Sequence, residues 1–251
     1  MHLYYFVIIL IFFACSNNEQ VGKINLNDAQ NKFSVKSETN VTPDRGIQIH
    51  IDTVMHFEDV NIDLLPPYWK TFTTGKDTTT EWKIMVEDNN HVLAQVSAPH
   101  PNYHFNGIYY RPIEIKNGYL EVKFKAVSGK KDQGGGLIWR FQDPDNYYIL
   151  RANPLENNVV MYKVIKGKRK DLPLIKKGKT YGIKTKPLGK RWHVLAIDFH
   201  DNIFIAYLDG KKLFEVHNDA IGMAGQVGLW TKADAVTYFD DFTIKSKSEK
   251  E

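Results

Sequence analysis

The side chains best suited to grip an oxygen-rich ligand are Arg140 and Arg151, which lie in two apolar runs on either side of Asp143-Pro144-Asp145-Asn146. Those four residues are turn formers, so the runs Leu137 to Gln142 and Tyr147 to Asn153 read as a β-hairpin. Pairing Gln142 with Tyr147 puts Leu137, Trp139, Phe141, Tyr148, Leu150 and Ala152 on one apolar face. The other face then carries Ile138, Arg140, Gln142, Tyr147, Ile149, Arg151 and Asn153. Guanidinium groups bridge hydroxyls or carboxylates, and aromatic rings stack on pyranose faces, so this set suits a sugar. His100 and His104 read as loop histidines at the rim of such a face, and Tyr103, Trp139 and Tyr147 are rings able to stack on sugar that read more readily as core or strand packing. The face reads equally as a solvated one, with arginines lying over aliphatic side chains.

Other reactive residue types form weaker patterns. His100 and His104 are spaced as zinc ligands sometimes are, but Pro101 between them rules out a helix and no third ligand follows nearby. His193 opens an alternating strand with Leu195, Ile197 and Phe199, which gives it a structural reading. No nucleophile elbow, phosphate loop or dinucleotide fingerprint occurs. Twelve Lys or Arg fall between Lys163 and Arg191 against Asp171 alone, in a chain of net charge +4, so the remainder is net acidic. Such a segment attracts acidic glycans, headgroups or nucleic acid, although KGKRK and KKGK sit where strands turn and also read as solvated hairpin loops. An exported chain without a recognition motif is a poor nucleic-acid binder.

The elements that must position these residues are strands. Leu120, Val122, Phe124 and Ala126 alternate with Glu121, Lys123 and Lys125 in a period-2 pattern. The runs Ile203 to Leu208 and Leu213 to Val216 flank Asp209-Gly210, a dipeptide that tolerates the positive φ angles of a tight turn. Val227 to Trp230 and Tyr238 to Ile244 close the series, and helical periodicity is hard to find anywhere. Many short strands imply an all-β sandwich of two antiparallel sheets, a jelly roll, over residues 51–247.

Residues 1–15 combine a short apolar run, Phe6 to Phe13, with Ala14 and the sole cysteine, Cys15. The run is too short to span a bilayer and suits a secretory leader. Its end resembles the lipobox of bacterial lipoproteins, which implies lipidation of Cys15 and a location in the cell envelope, tethered to a membrane; a plain cleaved leader is the alternative. Residues 16–50, rich in Asn, Lys, Ser, Thr and Glu, read as a polar linker, and residues 248–251 as a charged tail. With one cysteine the fold cannot depend on an internal disulfide, and a monomer is expected.

The blocks GGGLIWRFQDPDNYYILRANPLENNVVMYKV, WHVLAIDFHDNIFIAYLDGKKLFEV, GQVGLW and FDDFTI resemble the concanavalin A-like lectin and glucanase superfamily. Within it they are similar to the 3-keto-disaccharide hydrolase group, often labelled family-16-like glycoside hydrolases. The resemblance covers Phe57 to Ile244 and implies the jelly-roll fold and a saccharide partner. It also implies a structural Ca²⁺ where the first and last strands run together, for which Glu58, Asp59, Asp240 and Asp241 are the candidate ligands. Family-16 catalysts carry Glu-x-Asp-x-Glu or Glu-x-Asp-x-x-Glu on one strand, about 5 Å between carboxylates. Neither pattern occurs here, so retaining hydrolysis of that kind is not expected. Carbohydrate binding is the first expectation, a keto-glycoside hydrolase the second, and a non-catalytic envelope interaction module the third.

Overall fold

The computed structural model describes residues 36–42, 46–75, 78–96, 100–178 and 181–247, with side chains from residue 51 onward. Cys15, the leader, most of the expected linker and the charged tail lie outside the described residues. In chain order the strands are β1 (Lys36–Thr42), β2 (Gly46–Met55), β3 (Trp69–Gly75), β4 (Trp82–Glu87), β5 (Asn90–Gln95) and β6 (His104–Ile115). They continue with β7 (Gly118–Ser128), β8 (Gly135–Asp143), β9 (Asn146–Asn153), β10 (Asn158–Ile165), β11 (Lys168–Asp171) and β12 (Ile183–Lys184). The last are β13 (His193–His200), β14 (Ile203–Leu208), β15 (Lys211–His217), β16 (Gly225–Lys232) and β17 (Val236–Ser246). Sheet formation therefore begins before residue 51: β1 pairs with β2 largely within the segment expected to be linker, and β2 then joins β17 through Asp52 to Met55.

Two antiparallel sheets result. The first runs β1-β2-β17-β7-β13-β14-β15, with β4 and β5 attached through β17. The second runs β11-β10-β9-β8-β16-β6-β3, with β12 beside β10. The period-2 strands put their apolar positions between the sheets: Leu120, Val122 and Phe124 of β7 and Leu195, Ile197 and Phe199 of β13 meet Trp139, Leu150 and Leu229 from the other sheet. Each such side chain contributes roughly 1.5–3 kcal/mol by leaving water. Trp139 stacks on Tyr148 at 5.3 Å and meets Phe204 edge-on at 5.4 Å, tying the sheets together. The Asp209-Gly210 turn has φ of 49° and 74°, as the tight hairpin requires. His193 is structural, as expected: its Nδ1 meets Asp209 Oδ2 at 2.8 Å and its Nε2 meets Leu188 O at 2.9 Å.

Two bulges redirect the residues of interest. In β8, Trp139 pairs with Tyr148 and Asp143 with Asn146, so β8 carries two more residues than β9 between these pairs. The expected register holds at the turn and is displaced by two residues beyond it. Arg140 occupies the bulge at φ 47°, a conformation uncommon for a residue with a side chain. In β17, Asp240 pairs with Lys123 but Thr243 with Glu121, which leaves Asp241, at φ 50°, in the second bulge.

Candidate functional site

The β8 bulge separates residues expected to share a site. Arg140 turns to the inter-sheet side, lying 5.4 Å over the Phe204 ring, while Phe141 turns to the outer face of the second sheet and packs against Phe72 and Tyr147. Both placements correct the expected faces, because the bulge puts Trp139 and Arg140 on one side. Arg140 is fully buried and donates Nε to Lys116 O at 3.0 Å, Nη1 to Ile221 O at 2.7 Å and Nη2 to Asp201 O at 2.5 Å. Burial lowers its pKa despite the nearby Tyr148 and Asp201. Gln142 follows Arg140 out of the expected site, donating to Ala224 O at 2.8 Å.

The outer face of the second sheet is apolar over most of its area. Phe72, Phe105, Phe141, Tyr147, Ile149, Val160, Tyr162 and Trp230 form a second buried cluster there. Tyr147 hydrogen-bonds Thr74 Oγ1 at 2.9 Å, and burial raises its pKa. It stands four positions from Arg151, about 13 Å along the strand. Part of this cluster is roofed by β11. Arg169 lies over Tyr162 at 4.4 Å, Phe105 at 4.8 Å and Trp230 at 5.7 Å. Tyr103 fastens the roof, its hydroxyl donating to Gly167 O at 2.9 Å and accepting from Arg169 N at 3.1 Å. His104 is not at the rim of this face; it is buried, bonded to Asn106 Oδ1 at 2.8 Å and stacked on His100 at 4.2 Å.

One end of the same face is polar. Arg151 is fully buried, and its Nη2 donates to Glu156 Oε2 at 3.0 Å and Asn158 Oδ1 at 2.7 Å. Its Nε and Nη1 are buried with no hydrogen-bond partner. Asn153 joins as expected, donating to Asp132 Oδ1 at 3.2 Å, and Lys232 pairs with Asp132 Oδ2 at 3.0 Å. The Asp234 carboxylate holds the Asp132 loop by accepting from the N–H groups of Lys130, Lys131 and Asp132 at 2.9–3.1 Å. Gly134 makes room for the arginine stem, since a Cβ there would come within 2.8 Å of Asp132 Oδ1 and 3.0 Å of Arg151 Cδ. Burial opposes the charge on Arg151, but Tyr162, Asp132 and Glu156 outweigh it and raise the pKa. Burial likewise opposes the Glu156 charge, and Arg151 with Asn158 reverses the balance, holding the carboxyl below its ordinary range. At the rim, Tyr181 is 45% exposed and accepts a hydrogen bond from the Tyr162 hydroxyl at 3.0 Å.

Of the residues expected to form the site, the fold thus brings Arg151 and Asn153 together. It adds Asp132, Glu156, Asn158, Lys232 and Tyr181, which the sequence reading missed. Only Asn158 left a local signal: it shares period-2 parity with Val160 and Tyr162 in β10. Asp132 and Lys232 come from distant parts of the chain, and sequence spacing carries no trace of their meeting.

At the seam of the first sheet, the metal-ligating side chains that converge among the described residues are His56, Asp240 and Asp241. Glu58 and Asp59 are not in that group, although Glu58 is close enough to act electrostatically on Asp240. Asp241 is paired with Lys123 and with His56 Nδ1, the latter at 2.6 Å. Asp240 accepts from Asn90 Nδ2 at 2.9 Å and from the backbone N–H of Asp241 at 2.7 Å. Burial, with Asp241 and Glu58, raises the Asp240 pKa.

The sequence matches no protein-family model and no curated protein. Solved structures do match. The carbohydrate-binding module CBM66 from Bacillus subtilis aligns at a TM-score of 0.57 with 18% identity, over 71% of this chain and 96% of that one. The Bacillus licheniformis β-glucanase aligns at 0.50 with 13% identity, over 78% and 98%. The chain therefore has the concanavalin A-like jelly-roll fold anticipated from its sequence blocks.

Proposed function

We propose that this protein binds carbohydrate at the polar end of the outer face of its second sheet, around Arg151. The observation that carries the reading is the fully buried Arg151 guanidinium, whose Nε and Nη1 have no acceptor. A buried donor without a partner is costly, and ligand oxygens would satisfy it. Glu156, the partner of the guanidinium, is itself only half-buried, and the exposed Tyr181 ring supplies a stacking surface of the kind sugars use. The fold is shared with a carbohydrate-binding module, which agrees with this reading.

The test is a glycan-array screen of the wild type beside Arg151→Lys and Arg151→Gln. Binding by the wild type with loss in both variants, at unchanged melting temperature in the lysine variant, supports the site. A folded Arg151→Lys protein that retains full affinity would overturn it.

A hydrolase of the 3-keto-disaccharide type is the second reading, favoured by the two carboxylates beside the arginine. Arg151 and Asn158 keep Glu156 ionised, which suits it as a base rather than a general acid. Product analysis on oxidised and unoxidised disaccharides separates this reading from simple binding. With either activity, export and a lipid anchor on Cys15 are proposed from the leader alone, placing the domain in the cell envelope as a membrane-tethered monomer. A structural Ca²⁺ beside Asp240 and Asp241 is proposed from the convergence of acidic side chains at the seam.

A further inference from the structure

We infer that the side of the sandwich where β11 and β15 are joined is a docking surface for anionic phospholipid headgroups, which holds the domain edge-on against a membrane. In an antiparallel pair, residues directly opposite share a side of the sheet, and side chains alternate along each strand. Arg169 and Asp171 therefore face outward with Val164 and Tyr162, while Lys168 and Lys170 fall on the inter-sheet side with Ile165 and Lys163. Leu172 and Leu174, which follow, are buried in the inter-sheet core. The two lysines stay exposed because β11 is the last strand of its sheet, where the space between the sheets opens to the side.

The next residues carry the chain across to the other sheet. Leu174 forms a bridge with Val216 of β15, and the Ile175 N–H donates to Glu215 O at 2.9 Å. Lys176 and Lys177, both exposed, thus lie beside the edge strand that presents Lys211 and Lys212. Lys176 acts electrostatically on Glu215, and Lys212 is ion-paired with it. Asp171 faces the other side of β11, and Asp209, beside Lys211, is held by His193 and the Val194 N–H. Among the described residues no carboxylate pairs with Lys168, Lys170, Lys176, Lys177 or Lys211. The surplus is concentrated on one side of a chain whose remainder is net acidic, so a negative plane would orient the domain by that side. All six groups are ammoniums on flexible stems, hydrated point charges that suit a fluid layer of headgroups rather than the fixed donor pattern of a base edge. Edge-on docking turns the outer face of the second sheet, with Arg151, to the side instead of onto the bilayer. The surface needs no lipid on Cys15, but a tether there is compatible with it. β1 and β15 are opposite edges of the first sheet, about 29 Å apart at the usual strand spacing, and residues 16–35 reach at most about 70 Å.

Cosedimentation of the full chain carrying Cys15→Ser with vesicles tests the surface without a lipid anchor. Vesicles of equal parts phosphatidylglycerol and phosphatidylcholine should bind it at least about tenfold more tightly than phosphatidylcholine alone, and raising the salt from about 50 to 300 mM should remove most of that difference. A lysine near an anionic surface is worth about fivefold in partitioning (~1 kcal/mol). Lys168→Gln/Lys170→Gln and Lys176→Gln/Lys177→Gln should therefore each weaken binding by about tenfold or more at unchanged melting temperature. Lys70→Gln/Arg111→Gln removes the same charge from exposed positions on β3 and β6, toward the opposite edge of the second sheet, and should weaken binding less than about threefold. Equal binding to the two kinds of vesicle, or an equal loss in the Lys70/Arg111 variant, would overturn the inference, since the apolar leader or net charge alone would then account for attachment. Tighter binding to duplex DNA than to the anionic vesicles at equal phosphate concentration would overturn it as well, and would make the edge a nucleic-acid surface. Each of these outcomes leaves saccharide binding standing, because Arg151 lies on the outer face and takes no part in the edge.

Discussion

Arg140 and Arg151 stand on the paired strands β8 and β9, yet their guanidiniums serve opposite sides of the sheet. Arg140 lies over Phe204 in the inter-sheet core, and Arg151 lies over Tyr162 on the outer face. The same residue type does different work in each place. Arg140 spends its donors on three backbone carbonyls, Lys116 O, Ile221 O and Asp201 O, so it pins three connections at one end of the sandwich. Arg151 keeps two nitrogens free.

Arg140→Ala should therefore destabilise the fold by about 3–5 kcal/mol, because it strands buried carbonyls and opens a cavity. Saccharide affinity of the folded fraction should not change. Chemical denaturation and calorimetry on the same sample read both quantities, and a stable variant with weakened binding would contradict the division of labour.

Much of the fold was legible before the structure, and the reason is visible in particular strands. The alternation of Leu120, Val122 and Phe124 and the Asp209-Gly210 turn are local signals, and both mark observed elements, Gly118–Ser128 and the hairpin of Ile203–Leu208 with Lys211–His217. The candidate site was legible only in part. A bulge that holds an arginine at φ 47° runs against local preference, so nothing near Arg140 announces that it leaves the face of Arg151. Lys232 reaches Asp132 across 100 residues of chain, a meeting that depends on how β16 and the β7–β8 loop come together. The start of sheet one was obscured differently: Lys36–Thr42 is polar enough to read as spacer, and only its pairing with β2 makes it a strand.

Glu156 should make stability depend on pH in one direction. Its folded pKa lies below the ordinary 4.5, so the stabilisation it provides is present above that value and disappears as pH falls through the folded pKa. Wild type should exceed Glu156→Gln in urea midpoint at pH 7, and the gap should close as pH falls from 4.5 through the folded pKa. A gap that persists undiminished at pH 3 would show that the glutamate acts through its shape rather than its charge.

Arg169 should behave as a roof over the aromatic cluster. Replacing it with Ala removes cation–π contacts to Phe105, Tyr162 and Trp230, each worth about 0.5–2 kcal/mol. The variant should lose stability and expose Trp230, read as faster acrylamide quenching that a Trp230→Phe background abolishes. Unchanged quenching would mean that Tyr103 and the rest of β11 cover the cluster without the guanidinium.

Replacing Cys15 with Ser should move the protein from the membrane fraction to the soluble fraction if the cysteine carries the lipid, because loss of the acyl chains removes their membrane affinity. Failure of the native chain to incorporate labelled palmitate, with no change in detergent partitioning for the variant, would remove the anchor from the account.

Asp240 gives the calcium proposal a test with its sign fixed in advance. Its folded pKa is raised above 3.8, chiefly by burial, so the ionised carboxylate costs stability once pH exceeds that raised value and costs none below 3.8. In chelator at pH 7, Asp240→Asn should therefore melt at or above the wild-type temperature. Added Ca²⁺ should reverse the order, because an ion bound only by the native wild type stabilises it by about 2.7 kcal/mol at a hundredfold excess over Kd. Lys123 and His56 already hold the Asp241 carboxylate, so the ion must displace or share those partners, which points to a millimolar rather than micromolar requirement. A wild-type melting curve that stays fixed between chelator and 10 mM Ca²⁺ (roughly tenfold above the weak end of the extracellular affinity range) would leave His56, Lys123 and Asp241 as a self-neutralised cluster that needs no metal.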